Sequence, residues 1–154
     1  MRFAAYLITA VLAGSLFGTP ALANDQVKIV DSKYSVKQTL DRLSAILTKK
    51  GIRVMARVNH AAGAEAVGLK LAPMELLIFG NPKLGTPLIQ SSGMIGLDLP
   101  MKVLAWRDAD SKVKMAYTIP AALKSRHGIT DRDAIFGKMT KALAALTAAA
   151  GGQK

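Results

Sequence analysis

The chain contains no cysteine. That excludes disulfides, thiolate metal sites, a cysteine nucleophile and lipid attachment through cysteine, and leaves packing as the source of stability. Aromatic residues make up only 5% of the sequence, and Trp106 is the sole tryptophan. Aromatics interleaved with basic residues, which a single-strand nucleic-acid face needs, are therefore missing, and no specific nucleic-acid partner is expected. Histidine occurs twice, as His60 and His127, and acidic side chains number 10 against 21 basic ones. So few donors do not compose a zinc site, and no metal is expected. The dinucleotide fingerprint is absent, and Gly80–Gly85 has a glycine and a lysine without the spacing of a phosphate loop, so no cofactor is expected either.

Long apolar runs are also scarce. The longest, Phe3–Phe17, follows Met1 and Arg2 and precedes Ala21-Leu22-Ala23. A short positive start, an apolar stretch and an A-x-A site form the layout of a secretory signal peptide, 1–23. The run falls short of the roughly 20 residues a membrane span needs and is followed by Gly18 and Pro20. The expectation is an exported, periplasmic chain cleaved after Ala23, with no transmembrane segment in the mature part. Arg2 leaves with the leader, so +10 of the formal +11 remains. A field of this sign attracts anionic partners, although its lysines and arginines are spread along the whole chain as on an ordinary solvated surface.

Residues 24–150 suffice for one domain with one core, leaving 151–154 as a flexible tail. Gln26–Ser32 suits a strand. Ser35 and Gln38 form a capping box ahead of Val36, Leu40, Leu43 and Leu47, and Gly51 ends that helix. Ile52, Val54, Ala56 and Val58 alternate with polar residues, predicting a strand with those four in the core. Asn59 caps a short helix over His60–Leu69. Met74–Phe79 is a continuous apolar run, predicting a buried strand.

Two helix starts follow, Asn81 with Pro82 or Thr86 with Pro87. The second is preferred, because Pro87 inside a helix would break it. Met101–Arg107 and Lys112–Ile119 flank the turn Asp108–Ser111 as a hairpin. Pro120–Arg126 is a short helix. Thr130 and Asp133 form a capping box for a last helix with Ile135, Phe136, Met139, Leu143 and Leu146 on its apolar face, and Ala148–Lys154 reads as a fraying end. The fold class is α+β: a single two-layer domain with an antiparallel or mixed sheet covered by helices.

Several phrases of this chain resemble one family. They are His60–Gly63, Leu76–Lys83, Gly85–Leu88, Ile95–Pro100 with Lys102–Leu104, and Arg126-His127. Together they resemble domain-of-unknown-function family 302, over about Ser32 to Leu146. The resemblance implies a compact α+β fold and a homodimer. It implies no catalytic residues.

The chemistry is therefore read from the residues. His60 and His127 are the candidate general bases at neutral pH, with Asp98 as a carboxylate able to orient one of them or merely to cap the turn before Pro100. The loop Gly80–Thr86 is the candidate ligand site: free N–H groups at a following helix start would hold an anion, with Asn81, Lys83 and Thr86 contributing, and His60 nearby. The six methionines beyond Met1 are dispersed and read as core filling. Two functions follow. The favoured one is a non-catalytic domain binding a small anionic or amphipathic ligand or a partner protein. The alternative is a cofactor-free hydrolase or isomerase using His60 or His127.

Overall fold

A computed structural model describes residues 26–153, and the leader expected at 1–23 lies outside them. Five strands, β1 (Val27–Ser32), β2 (Arg53–Asn59), β3 (Met74–Gly80), β4 (Met101–Arg107) and β5 (Val113–Thr118), form one sheet in the order β1-β5-β4-β3-β2. Every pairing is antiparallel, which resolves the choice left open between antiparallel and mixed. The helices are α1 (Val36–Lys49), α2 (His60–Ala66), α3 (Pro82–Ser91), α4 (Pro120–Arg126) and α5 (Asp133–Gly151), with a 3-10 turn at Gly93–Leu97.

The helix α1 forms for local reasons visible in its sequence. Ser35 Oγ accepts from Gln38 N–H, and Gln38 Oε1 accepts from Ser35 N–H. At the other end Gly51 takes φ +66°, and Ile52 N–H reaches back to Leu47 O at 2.9 Å. That left-handed turn suits glycine, which has no Cβ to clash. The buried face Val36, Leu40, Leu43 and Leu47 then packs on the sheet. It meets Leu77, Phe79, Val103, Ala105 and Met115, all buried. The helix α5 lies beside α1 and adds Phe136, Met139, Leu143 and Leu146.

The strand β2 departs from the expected alternation. Val54 pairs with Phe79 but Ala56 pairs with Ile78, so Met55 bulges out. An extra residue reverses the side-chain alternation beyond it. Arg57 therefore shares the face of Leu77, under α1, and reaches Asp41 and Glu75 at 2.6 Å each. Ala56 and Val58 fall on the opposite face and are exposed rather than in the core.

Two helix starts are corrected as well. The helix α3 begins at Asn81, whose side chain accepts from Lys83 N–H, and Pro87 sits inside it. Pro87 denies a donor to the carbonyl of Lys83, but Lys83 is exposed and water can take that role. The helix α5 starts from Arg132 at φ +68° with no side-chain cap, so Thr130 does not form the expected box, and Asp133 instead pairs with Lys124. The helix also continues through Ala148–Gly151, where a fraying end was expected. Lys33 N–H bonds Gly151 O at 3.1 Å, and Arg42 bonds the carbonyls of Ala149 and Ala150.

Candidate functional site

Strand directions divide the molecule into two ends. One end holds the close of β3, the start of β4, α3, the 3-10 turn and α4. The other holds α2 and the β4–β5 turn. His60 opens α2 beside Asn59, which pairs with Glu75 at the start of β3, whereas Asn81 follows Gly80, which pairs with Arg53. Six residues of strand, about 20 Å at ~3.3 Å each, therefore separate His60 from the Gly80–Thr86 segment. His60 is exposed and does not join that site, nor does it meet His127, which caps α4 at the opposite end.

The Gly80–Thr86 segment borders a cavity of about 300 Å³. Its wall comes from six places. They are Ile52 and Met55 at the start of β2, Phe79 and Gly80 of β3, α3 with its cap Asn81, Gly96 of the 3-10 turn, the Leu99–Met101 segment, and one side of α5 from Met139 to Leu146. Asn81 and Thr86 are among the lining residues; Lys83 is not. The wall is otherwise apolar. On α5 the small residue Ala142 lines the space together with Met139, Leu143 and Leu146. Gly80 and Pro100 approach so closely that a Cβ on Gly80 would lie 3.3 Å from Pro100 Cβ.

The expected anion cradle is not formed. Lys83 N–H is taken by Asn81 Oδ1 at 3.0 Å, and the N–H groups of Leu84 and Gly85 by Asn81 O at 2.9 and 3.0 Å. Pro82 has none to give. The first turn of α3 is thus satisfied by its own cap and has no free donors to aim at a ligand.

Behind the cavity, Asp98 joins two elements. Its Oδ2 lies 2.6 Å from His127 Nε2, and Arg126 spans both carboxylate oxygens at 3.0 and 3.1 Å. Arg126 also reaches Gln26 Oε1. The hydrogen bond with His127 does most to hold the Asp98 carboxyl below its ordinary 3.8, with Arg126 adding to it and lost solvent opposing. Asp98 is thus in contact with one of the two histidines. Lys102 Nζ bonds the carbonyls of Asp98 and Pro100, at 2.7 and 3.3 Å, and the Leu99–Pro100 peptide is cis. His127, with its side chain only 8% exposed, lines none of the described cavities. This arrangement pins the Asp98–Pro100 segment, whose Leu99 and Pro100 form part of the cavity wall, to the end of α4.

No group of three or more His, Asp or Glu among the described residues is placed to hold a metal ion. Met101, Met115 and Met139 are buried as expected of core methionines, but Met55 and Met94 are exposed, and Met55 borders the cavity. Leu99, Pro100 and Arg126 stood in phrases matched to the family but were not named as site residues, and Ala142 was not singled out. Arg126 stood beside a noted histidine, and Ala142 is a small residue within a row of large ones.

The model of the family described as "Domain of unknown function DUF302" matches residues 28–146. Among solved structures, a protein described as an uncharacterized conserved DUF302 protein from Bacillus stearothermophilus has the same fold. The TM-score is 0.74 at 21% identity, covering 82% of this chain and 98% of that one. Among curated proteins, the fluoride-specific ion channels FluC 1 of Brucella suis and FluC 2 of Brucella melitensis are 42% identical over 132 residues. The match covers 78% of this chain but 52% and 49% of those proteins. The chain thus spans about half the length of the curated relatives it matches. No helix of the described residues is long and apolar enough to cross a membrane.

Proposed function

We propose that this chain, which belongs to the DUF302 family, is a non-catalytic domain taking the apolar part of a small amphipathic ligand into the cavity between α3 and α5. The observation that carries this reading is the wall: two polar side chains, Asn81 and Thr86, among otherwise apolar residues. Ligand sites are concave and mostly apolar, with a few polar groups to fix orientation. A volume of 300 Å³ equals that of about ten waters at ~30 Å³ each, which suits a short hydrocarbon tail. Each methylene moved there from water contributes about 0.8 kcal/mol. The channel name of the Brucella proteins belongs to those longer chains, and an apolar wall is a poor host for a small bare anion.

The test is uptake of the neutral dye N-phenyl-1-naphthylamine, whose fluorescence rises in apolar surroundings. Ala142→Phe fills the cavity and abolishes uptake with the circular dichroism unchanged. Undiminished uptake by that variant would sink the reading.

A cofactor-free hydrolase or isomerase has one observation in its favour, the 2.6 Å contact between His127 and Asp98. Arg126 already occupies both oxygens of that carboxylate, and no described cavity reaches the imidazole. A positioning role for His127 fits these contacts better. Turnover of p-nitrophenyl butyrate that disappears in His127→Gln would reverse the choice.

Export and self-association complete the proposal. The Met1–Ala23 sequence supports a cleaved leader and a periplasmic location, and protein recovered from the periplasm should begin at Asn24. The sheet face opposite α1 and α5 supports a homodimer. Ile29, Ala116, Leu104, Leu76 and Val58 stand in register across all five strands, an uncharged row on a strongly basic chain. Analytical ultracentrifugation should find a dimer that Ile29→Glu dissociates; a monomer in both would remove this part.

A further inference from the structure

The charged residues that directly flank the cavity lining in sequence are lysines and arginines with one exception, Asp98. On α3, Lys83 lies one turn from the lining residue Thr86, and on α5, Lys138 lies one turn from the lining residue Ala142. Both lysines are exposed, and neither has a carboxylate partner among the described residues. Arg53 stands across the strand pair from Gly80. The residues that directly flank the lining in sequence include one carboxylate, Asp98, and Arg126 and His127 already hold it. Ile89, which lines the cavity, and Leu97, next to the lining Gly96, are 44% and 75% exposed. The exposed lining residue Ile89 marks an apolar opening, and the lysines beside the lining in sequence, Lys83 and Lys138, carry unneutralised charge.

An apolar tail entering such an opening leaves its head among those cations. We infer that the ligand is a single-chain amphiphile with an anionic head, carboxylate or phosphate monoester, its tail in the cavity and its head between Lys83 and Lys138. The inference rests on the ligand-binding reading above and fixes the sign of the head. Recognition of the head falls to side chains, because the N–H groups opening α3 are taken by Asn81. Exposed charges a few ångströms apart interact weakly in water, so the preference should be moderate and should weaken as salt is raised.

The experiment is displacement of bound N-phenyl-1-naphthylamine from the purified full chain by decanoate, decyl phosphate, decanol and decyltrimethylammonium. All are used below their aggregation limits. The expected result is that decanoate or decyl phosphate competes about tenfold more strongly than decanol at low salt, and the cation most weakly. The double variant Lys83→Glu, Lys138→Glu removes that preference while decanol still competes as before. The anion with the greater advantage identifies the head. Equal competition by decanol overturns the anionic head and leaves the cavity reading standing. An anion preference that survives the double variant overturns the assignment to these lysines. Failure of the dye itself to bind defeats the cavity reading instead.

Discussion

The imidazole of His127 and the carboxylate of Asp98 meet at 2.6 Å, across 29 residues of sequence, and Arg126 closes on the same carboxylate from its other side. One anion thus joins the end of α4 to the segment that walls the cavity.

This pairing makes a contribution to stability that depends on pH. The folded-state pKa of Asp98 lies below 3.8, so the folded form binds the proton less readily than the unfolded chain. The contribution is fully present above about pH 5 and shrinks as pH falls through the lowered folded-state value. Asp98→Asn should cost about 1–2 kcal/mol near neutral pH, a partly exposed charged hydrogen bond. Denaturant melts of both proteins should converge below the ordinary carboxylate range. A gap that stays constant down to pH 2 would mean that the ionised carboxylate is not the source.

Two glycines should respond oppositely to alanine. At Gly151 a Cβ would lie 2.6 Å from Asp31 O and 3.1 Å from Met115 Cε, and the first of these is backbone. Gly151→Ala should cost about 1–3 kcal/mol by forcing α5 away from β1. Gly63, inside α2, has nothing within 4 Å. Gly63→Ala should stabilise by about 0.5–1 kcal/mol through helix propensity alone. Thermal melts of the two variants on opposite sides of the wild type are the check.

Ser35→Ala should cost about 1 kcal/mol, because the variant loses the acceptor for Gln38 N–H at the start of α1. Gln38→Ala removes the reciprocal half of the same box. The double variant should cost less than the sum of the two, since each residue serves the other.

His60→Ala should leave dye uptake and competition by anions unchanged, as His60 lies at the far end of the sheet from the cavity. A loss of uptake in this variant would contradict the placement of the site at α3 and α5.

The sequence shows what is local. The capping box at Ser35, the Gly51 stop and the Asp108–Ser111 hairpin turn are each written within a few residues, and the structure has all three. It hides what depends on a neighbour. Ala56 and Val58 looked like core residues, but one extra residue at Met55 turns them over and puts Arg57 beneath α1. Pro87 looked like a boundary, but an exposed carbonyl can do without its donor. The site divides in the same way. Asn81 and Thr86 were named because their segment carries turn chemistry, and both line the cavity. His60 was placed beside them by motif order, although strand direction carries it to the opposite end. Ala142 and Leu99 contribute space and shape, and neither has a side-chain chemistry that marks it in advance.

The last helix also governs when the molecule can become itself. Among the described residues β1 pairs only with β5, more than eighty residues later, and Lys33, just beyond β1, bonds Gly151 of α5. The first of the described strands is thus among the last to find its place. Contacts so distant in sequence close late. Until α5 has been made, β1 lacks the helix that closes over it, so this corner of the fold cannot form from its first strand alone.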